Sequence, residues 1–186
     1  MKRVALRVSR QAEWLAVSKL CPTEVIPKRR SPDAFGDNEC RPTFDGCLTK
    51  CEGGDGNSCY WLAYEAQQEG LGTETYSPLY QRACSLGVIS GCTNRAAEIR
   101  SSKPNDPEAQ KCTAQTFRLA CDLDDPWACT MFALQLGRGE GVARDDALAL
   151  RVLQKSCVYG NDDPACQRAN ELKAQLLRRQ GVSPKP

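Results

Sequence analysis

Eight of the chain's twelve cysteines fall into four pairs with nearly the same internal spacing: Cys51/Cys59, Cys84/Cys92, Cys121/Cys129 and Cys157/Cys166. The first three pairs enclose seven residues and the last encloses eight, and successive pairs begin 33, 37 and 36 residues apart. A period in that range marks stacked units, each too small to bury its apolar face without a neighbour. Cysteine at this density also fits an oxidising space, because disulfides are rare in a reducing cytosol. The even count allows every thiol to pair.

Between the pairs the periodicity is helical. From Cys59, the residues Leu62, Ala63 and Ala66 form an i, i+3, i+4, i+7 stripe that Gly70 and Gly72 end. A second helix runs to Ala83-Cys84, where Gly87 stops it. The next unit has Cys92, Ala96 and Ile99, a break at Pro104-Asn105-Asp106-Pro107, and a helix to Cys121. The third has Cys129, Phe132, Ala133 and Leu136, a turn over Gly137–Gly141, and a helix from Asp145 to Cys157. A last helix from Cys166 carries Ala169, Leu172 and Leu176, and its charged end suits a terminal cap. With no strand-like alternation, the expected fold class is all-α: a disulfide-stapled α/α solenoid of helix–turn–helix repeats over residues 46–180.

The flanks read differently. Residues 1–45 form an N-terminal extension expected to be mostly irregular, and residues 181–186 a loose tail. Arg7 and Arg10 interrupt the apolar run that a secretory signal needs; the Arg-rich, acid-poor stretch leaves a transit peptide or a misassigned start open, but the favoured reading of residues 1–20 is a frayed or partly helical extension. Pro22, Pro27, Pro32 and Pro42, with Gly36 and Asp37, read as an irregular arm.

Each repeated pair spans the turn between one helix's end and the next one's start. Those ends lie side by side in an antiparallel hairpin, within disulfide reach. Local bridges are favoured over the alternative that links the two ends of one repeat, such as Cys129 with Cys157. Cys21, Cys40, Cys47 and Cys112 permit three connectivities, and spacing does not select among them. A zinc site at Cys40, Cys47, Cys51 and Cys59 is the sharper rival, but the chain has no C-x-x-C half-site. A free redox thiol among the four unassigned cysteines is a further alternative.

Several chemistries lose their residues at once. The chain has no histidine, which removes His-based triads and His-containing zinc sites. No serine begins a Ser-x-x-Lys tetrapeptide. Gly137-Arg138-Gly139-Glu140-Gly141 lacks the ending of a phosphate loop and follows a helix, so it reads as an interhelical turn. Asp122, Asp124, Asp125, Asp162 and Asp163 read as turn and N-cap residues. A net charge of +2 carries no global field for nucleic acid, and no apolar run reaches the roughly 20 residues of a membrane span. No catalytic residue, metal or cofactor is expected.

The unit from Ala128-Cys129 to Cys157 resembles the Sel1-like repeat family in its cysteine-rich branch, best known from the Helicobacter cysteine-rich proteins. The carrying residues are Ala128-Cys129, Gly139-Glu140-Gly141-Val142, Asp145 and Lys155-Ser156-Cys157. Arg82-Ala83-Cys84 and Leu119-Ala120-Cys121 are similar helix endings, and Ser58-Cys59 and Gly91-Cys92 similar helix starts. The unit from Cys92 to Cys121 departs from the pattern: it lacks the glycine turn and has Arg95 where a leucine is usual. The resemblance implies a right-handed solenoid similar to tetratricopeptide arrays, with first helices lining a concave face.

By that analogy the partner-facing positions include Tyr60, Tyr64, Arg100, Trp127 and Thr130. Trp61 joins Tyr60 and Tyr64 in an aromatic trio that ranks first for contact; the competing reading makes these rings ordinary packing residues. The expected function is a monomeric, non-enzymatic scaffold or adaptor for a protein or peptide segment, in the periplasm or outside the cell. Family members are also labelled β-lactamases, so a penicillin-binding protein or weak β-lactamase is one alternative. An assembly factor of the mitochondrial intermembrane space is another.

Overall fold

A computed structural model describes residues 1–31, 38–41 and 43–179. Among these the protein is all-α, with ten helices, two short 3-10 turns and no strand. Pro32, Gly36, Asp37, Pro42 and the expected tail lie outside the described residues. The chain divides into two compact units, Met1–Glu98 and Ile99–Pro186. Sequence reading draws its boundaries after residues 45 and 180 instead, because no change of composition marks residue 98.

The first unit contains α1 (Lys2–Val8), α2 (Ala12–Val17), a 3-10 turn (Pro22–Glu24), α3 (Phe44–Glu52), α4 (Gly56–Gln68), α5 (Thr73–Ser85) and the start of α6 (Ile89–Ser102). Asp55 caps α4 by accepting hydrogen bonds from the N–H groups of Asn57 and Ser58, which would otherwise be orphaned in the first turn. α4 packs on α3 and α5, while α1 and α2 reach α5. Gly91 lets α6 approach closely, since a Cβ there would meet the Ala83 side chain and the backbone of Tyr80 and Cys84 at 2.9 Å.

Residues 1–45, expected to be mostly irregular, include two helices that join the core. Val4 and Val8 are four residues apart and share a helical face, which is fully buried with Trp14. Arg7, which breaks the apolar run in the sequence, turns to an ion pair with Glu52. Arg82 then ties the parts together: its guanidinium lies 4.5 Å over the Trp14 ring. The same group donates to the carbonyls of Cys51 at 3.0 Å and Glu52 at 3.2 Å, satisfying the end of α3.

The second unit holds the end of α6, α7 (Pro107–Asp122), α8 (Pro126–Arg138), α9 (Asp146–Leu153), a 3-10 turn (Gln154–Cys157) and α10 (Pro164–Arg179). Asp106, Asp125, Asp145 and Asp163 each accept a backbone N–H from the opening turn of the helix that follows. Three of these caps are followed by proline at the first helical position, where a missing N–H costs nothing. α8 packs on α7, α9 and α10. Gly137 permits the last contact, because a Cβ there would lie 2.9 Å from the Leu176 side chain.

Disulfides join Cys51–Cys59, Cys84–Cys92, Cys121–Cys129 and Cys157–Cys166, with Cα separations of 4.8, 4.6, 4.6 and 4.5 Å. These are the local bridges. Cys40 joins Cys47 at a Cα separation of 5.5 Å. Cys21 and Cys112 are also disulfide-bonded, and no cysteine is free. The zinc rival therefore has no thiolates to offer at Cys40, Cys47, Cys51 and Cys59, and a redox-active free thiol has no residue to occupy.

Candidate interaction surfaces

The leading aromatic trio sits on α4, but it is not an open patch. Tyr60 follows a stapled cysteine and points inward, with 7% of its surface exposed. Its ring meets Trp61 at 5.2 Å and Tyr80 of α5 at 5.8 Å. Trp61 meets Tyr64 at 5.6 Å, and Tyr76 meets Tyr80 at 6.2 Å. Five rings thus form a chain, Tyr64–Trp61–Tyr60–Tyr80–Tyr76, mostly edge to face, the geometry that ring quadrupoles favour. Trp61, Tyr64 and Tyr76 remain half-buried. The ladder is chiefly core, and Tyr60 is corrected from contact residue to packing residue.

Hydrogen bonds close the ladder's polar ends. The Tyr80 hydroxyl donates to Gln67 at 2.9 Å, and the Asn94 amide donates to the Tyr60 hydroxyl at 3.4 Å. Burial, followed by the neighbouring Tyr60, pushes the Tyr80 phenol far up from its ordinary value. Burial and then Glu98 raise the Tyr76 phenol. Both shifts favour the neutral phenol, and Tyr80 uses its proton as a donor to Gln67.

Arg95, out of place in the repeat pattern, has its own partners. It pairs with Glu98 and donates to the Ser18 carbonyl at 2.7 Å, joining α6 to the end of α2. The Ser77 hydroxyl also donates to Glu98, at 3.0 Å. Burial lowers the Arg95 pKa, with the Glu98 charge opposing that shift. The guanidinium thus sits among polar neighbours, which is what this position supplies.

In the second unit Arg100 belongs to a turn. Its Nε and Nη2 donate to one Glu140 oxygen at 3.1 and 2.7 Å, while Arg138 donates to the other at 3.3 Å. Burial works to raise the Glu140 pKa, but the hydrogen bond and charge of Arg100, then those of Arg138, outweigh it and the net shift is down. Gly141, at φ +68°, brings this turn onto α7: a Cβ would lie 2.1 Å from the Gln110 carbonyl oxygen. Gly137 and Arg138 still belong to α8, so the interhelical turn begins at Gly139, later than the sequence suggests, and is pinned from two sides.

Thr130 is likewise corrected. It is 2% exposed, and its hydroxyl bonds Ser156 Oγ at 2.9 Å and the Pro126 and Ala165 carbonyls at 3.2 Å. This buried hydroxyl links α8 to the two segments it packs against. Trp127 alone among the proposed contact residues is open, at 44% exposure; Val158 and Tyr159, which sequence reading passes over, reach 57% and 65%. Trp127 stands two residues before Cys129, and Val158-Tyr159 directly follow Cys157. The Lys155–Asp122 ion pair at 3.8 Å and the Thr130–Ser156 contact place both turns at one end of the unit. Exposed Asp124 and Asp162 flank them. A Val-Tyr pair in an otherwise polar turn was the available sequence signal.

Among the described residues no group of three or more cysteines and acids is arranged to hold a metal, and no helix is long and apolar enough to cross a membrane. Fold and chemistry together define a class: an all-α protein whose cysteines are oxidised, as in extracellular-type compartments. No protein-family model, curated protein or solved structure matches the chain.

Proposed function

We propose that the chain is a non-enzymatic interaction scaffold of an oxidising compartment, the periplasm or cell exterior, built from Sel1-like repeats. Its partner is a protein or peptide segment with an apolar centre and basic flanks. The observation that carries this reading is that Trp127, Val158 and Tyr159 are all open to solvent in two stapled turns at one end of the second unit, turns that also carry exposed Asp124 and Asp162. Rigid aromatic anchors with a polar rim are where binding energy concentrates. The adjoining disulfides hold the anchors in place before contact, which lowers the entropy lost on association.

A photo-activatable cross-linker placed at Tyr159 in producing cells tests this. The expected result is one discrete adduct that Trp127→Ala weakens and that a cross-linker at exposed Leu6, in the first unit, does not form. No adduct, or the same products from both positions, overturns the reading. Nitrocefin hydrolysis by the oxidised protein that vanishes on reduction would favour the β-lactamase alternative instead.

A further inference from the structure

We propose that the Arg30–Ser31 bond is a proteolytic processing site for a serine endoprotease of paired-basic specificity, and that the product is a two-chain protein held together by a disulfide. This inference stands independently of the interaction surface. Lys28, Arg29 and Arg30 are all exposed and belong to no helix. None of the three makes a hydrogen bond or ion pair among the described residues. The segment is fastened at each end, by the Ile26 N–H on the Pro22 carbonyl at 2.9 Å and the Ser31 N–H on the Gly87 carbonyl at 3.0 Å. Between them the backbone has no such bond among the described residues.

Proteases take their substrates in extended form, and exposed irregular segments are where nicking concentrates. The chain has two other basic pairs, Lys2-Arg3 and Arg178-Arg179, and both lie inside helices. Only residues 28–30 present adjacent cations to the acidic pockets of such an enzyme without unwinding a helix. Serine follows the cleaved bond, so no proline obstructs it. Hydrolysis adds water across the Arg30–Ser31 peptide: hydroxyl goes to the Arg30 carbonyl carbon, and the Ser31 nitrogen leaves as an amine. One backbone hydrogen bond must open for the enzyme to engage.

Residues 1–30 would not leave. Cys21 is the one cysteine before residue 40 and it is disulfide-bonded, so its partner lies on the far side of the cut. Val4, Val8 and Trp14 stay buried, and Arg7 stays paired with Glu52.

The test uses the purified, oxidised full chain with a subtilisin-type endoprotease specific for paired basic residues, read by intact mass. The unreduced product should gain one water and remain a single species, and reduction should split it into residues 1–30 and 31–186. Arg30→Gln should slow this cut at least about 100-fold while leaving thermal unfolding unchanged. The proposal fails if the denatured, alkylated chain is cut at Arg30 but the native one is not. It fails equally if Lys2-Arg3 or Arg178-Arg179 is cut first, or if the pieces separate without reductant.

Discussion

The first unit gathers Tyr60, Tyr80, Trp14, Leu48 and Leu62 at its centre, with Trp61 and Tyr76 packed against its edge. The second closes on alanines and leucines around Phe117 and Phe132, and leaves Trp127 and Tyr159 outside. Both carry the same local staples. The difference teaches that one disulfide framework accommodates two kinds of core. Where rings interlock, aromatic residues are structural; where small residues close the helix contacts, aromatic residues are released to the surface.

The sharpest way to break this contrast is Tyr80→Ala, which removes the ring joining α4 to α5. It should cost about 3–5 kcal/mol, with hydrogen-exchange protection falling across the first unit more than the second. Next is Cys121→Ser with Cys129→Ser. Opening so short a loop should cost about 2–3 kcal/mol in the chain-entropy model, measured by denaturant unfolding. If the aromatic core supplies independent support, the matching change at Cys84 and Cys92 should leave its unit more ordered than this one.

The units should also respond to opposite ends of the pH scale. Glu140 has a lowered folded-state pKa. Its contribution is present above the ordinary glutamate range and is lost as pH falls through the depressed value. Tyr80 has a raised one; the unfolded phenol loses its proton first, so stability falls as pH rises beyond about 10. Glu140→Gln should flatten the acid limb of the second unit's stability profile, and Tyr80→Phe the alkaline limb of the first. The smallest effect belongs to Trp127→Ala and Tyr159→Ser, each within about 0.5 kcal/mol in stability. A larger destabilisation would show that these side chains are packing residues, as Tyr60 is.

The local half of this architecture was legible. Asp-Pro caps, glycine stops and the eight-residue cysteine spacing are short-range signals, and the helices and repeated bridges follow them. What needed tertiary contacts was not. Tyr60, Trp61 and Tyr64 wrap around α4, and only Tyr80 decides which of them turns inward. Thr130 looks like a surface polar residue until Ser156 and Ala165 arrive to bond its hydroxyl. Arg95 reads as a defect because Ser18, its acceptor, lies 77 positions away. The N-terminal stretch reads as partly helical, but its docking on the core was hidden by Arg7, whose partner Glu52 lies 45 positions away.

The staples also have a consequence for how the chain is made. Five of its bridges connect residues seven to nine apart, so each pair of thiols meets soon after synthesis or export delivers it. Closing a loop that small takes well under a microsecond, against seconds or longer for oxidation and reshuffling. Proximity thus favours these local loops, while Cys47–Cys51 and Cys112–Cys121, four and nine residues apart, are the near mispairings that reshuffling has to undo. Cys21 and Cys112, which pair outside these local loops, are the ones that must wait for the fold to bring them their partners.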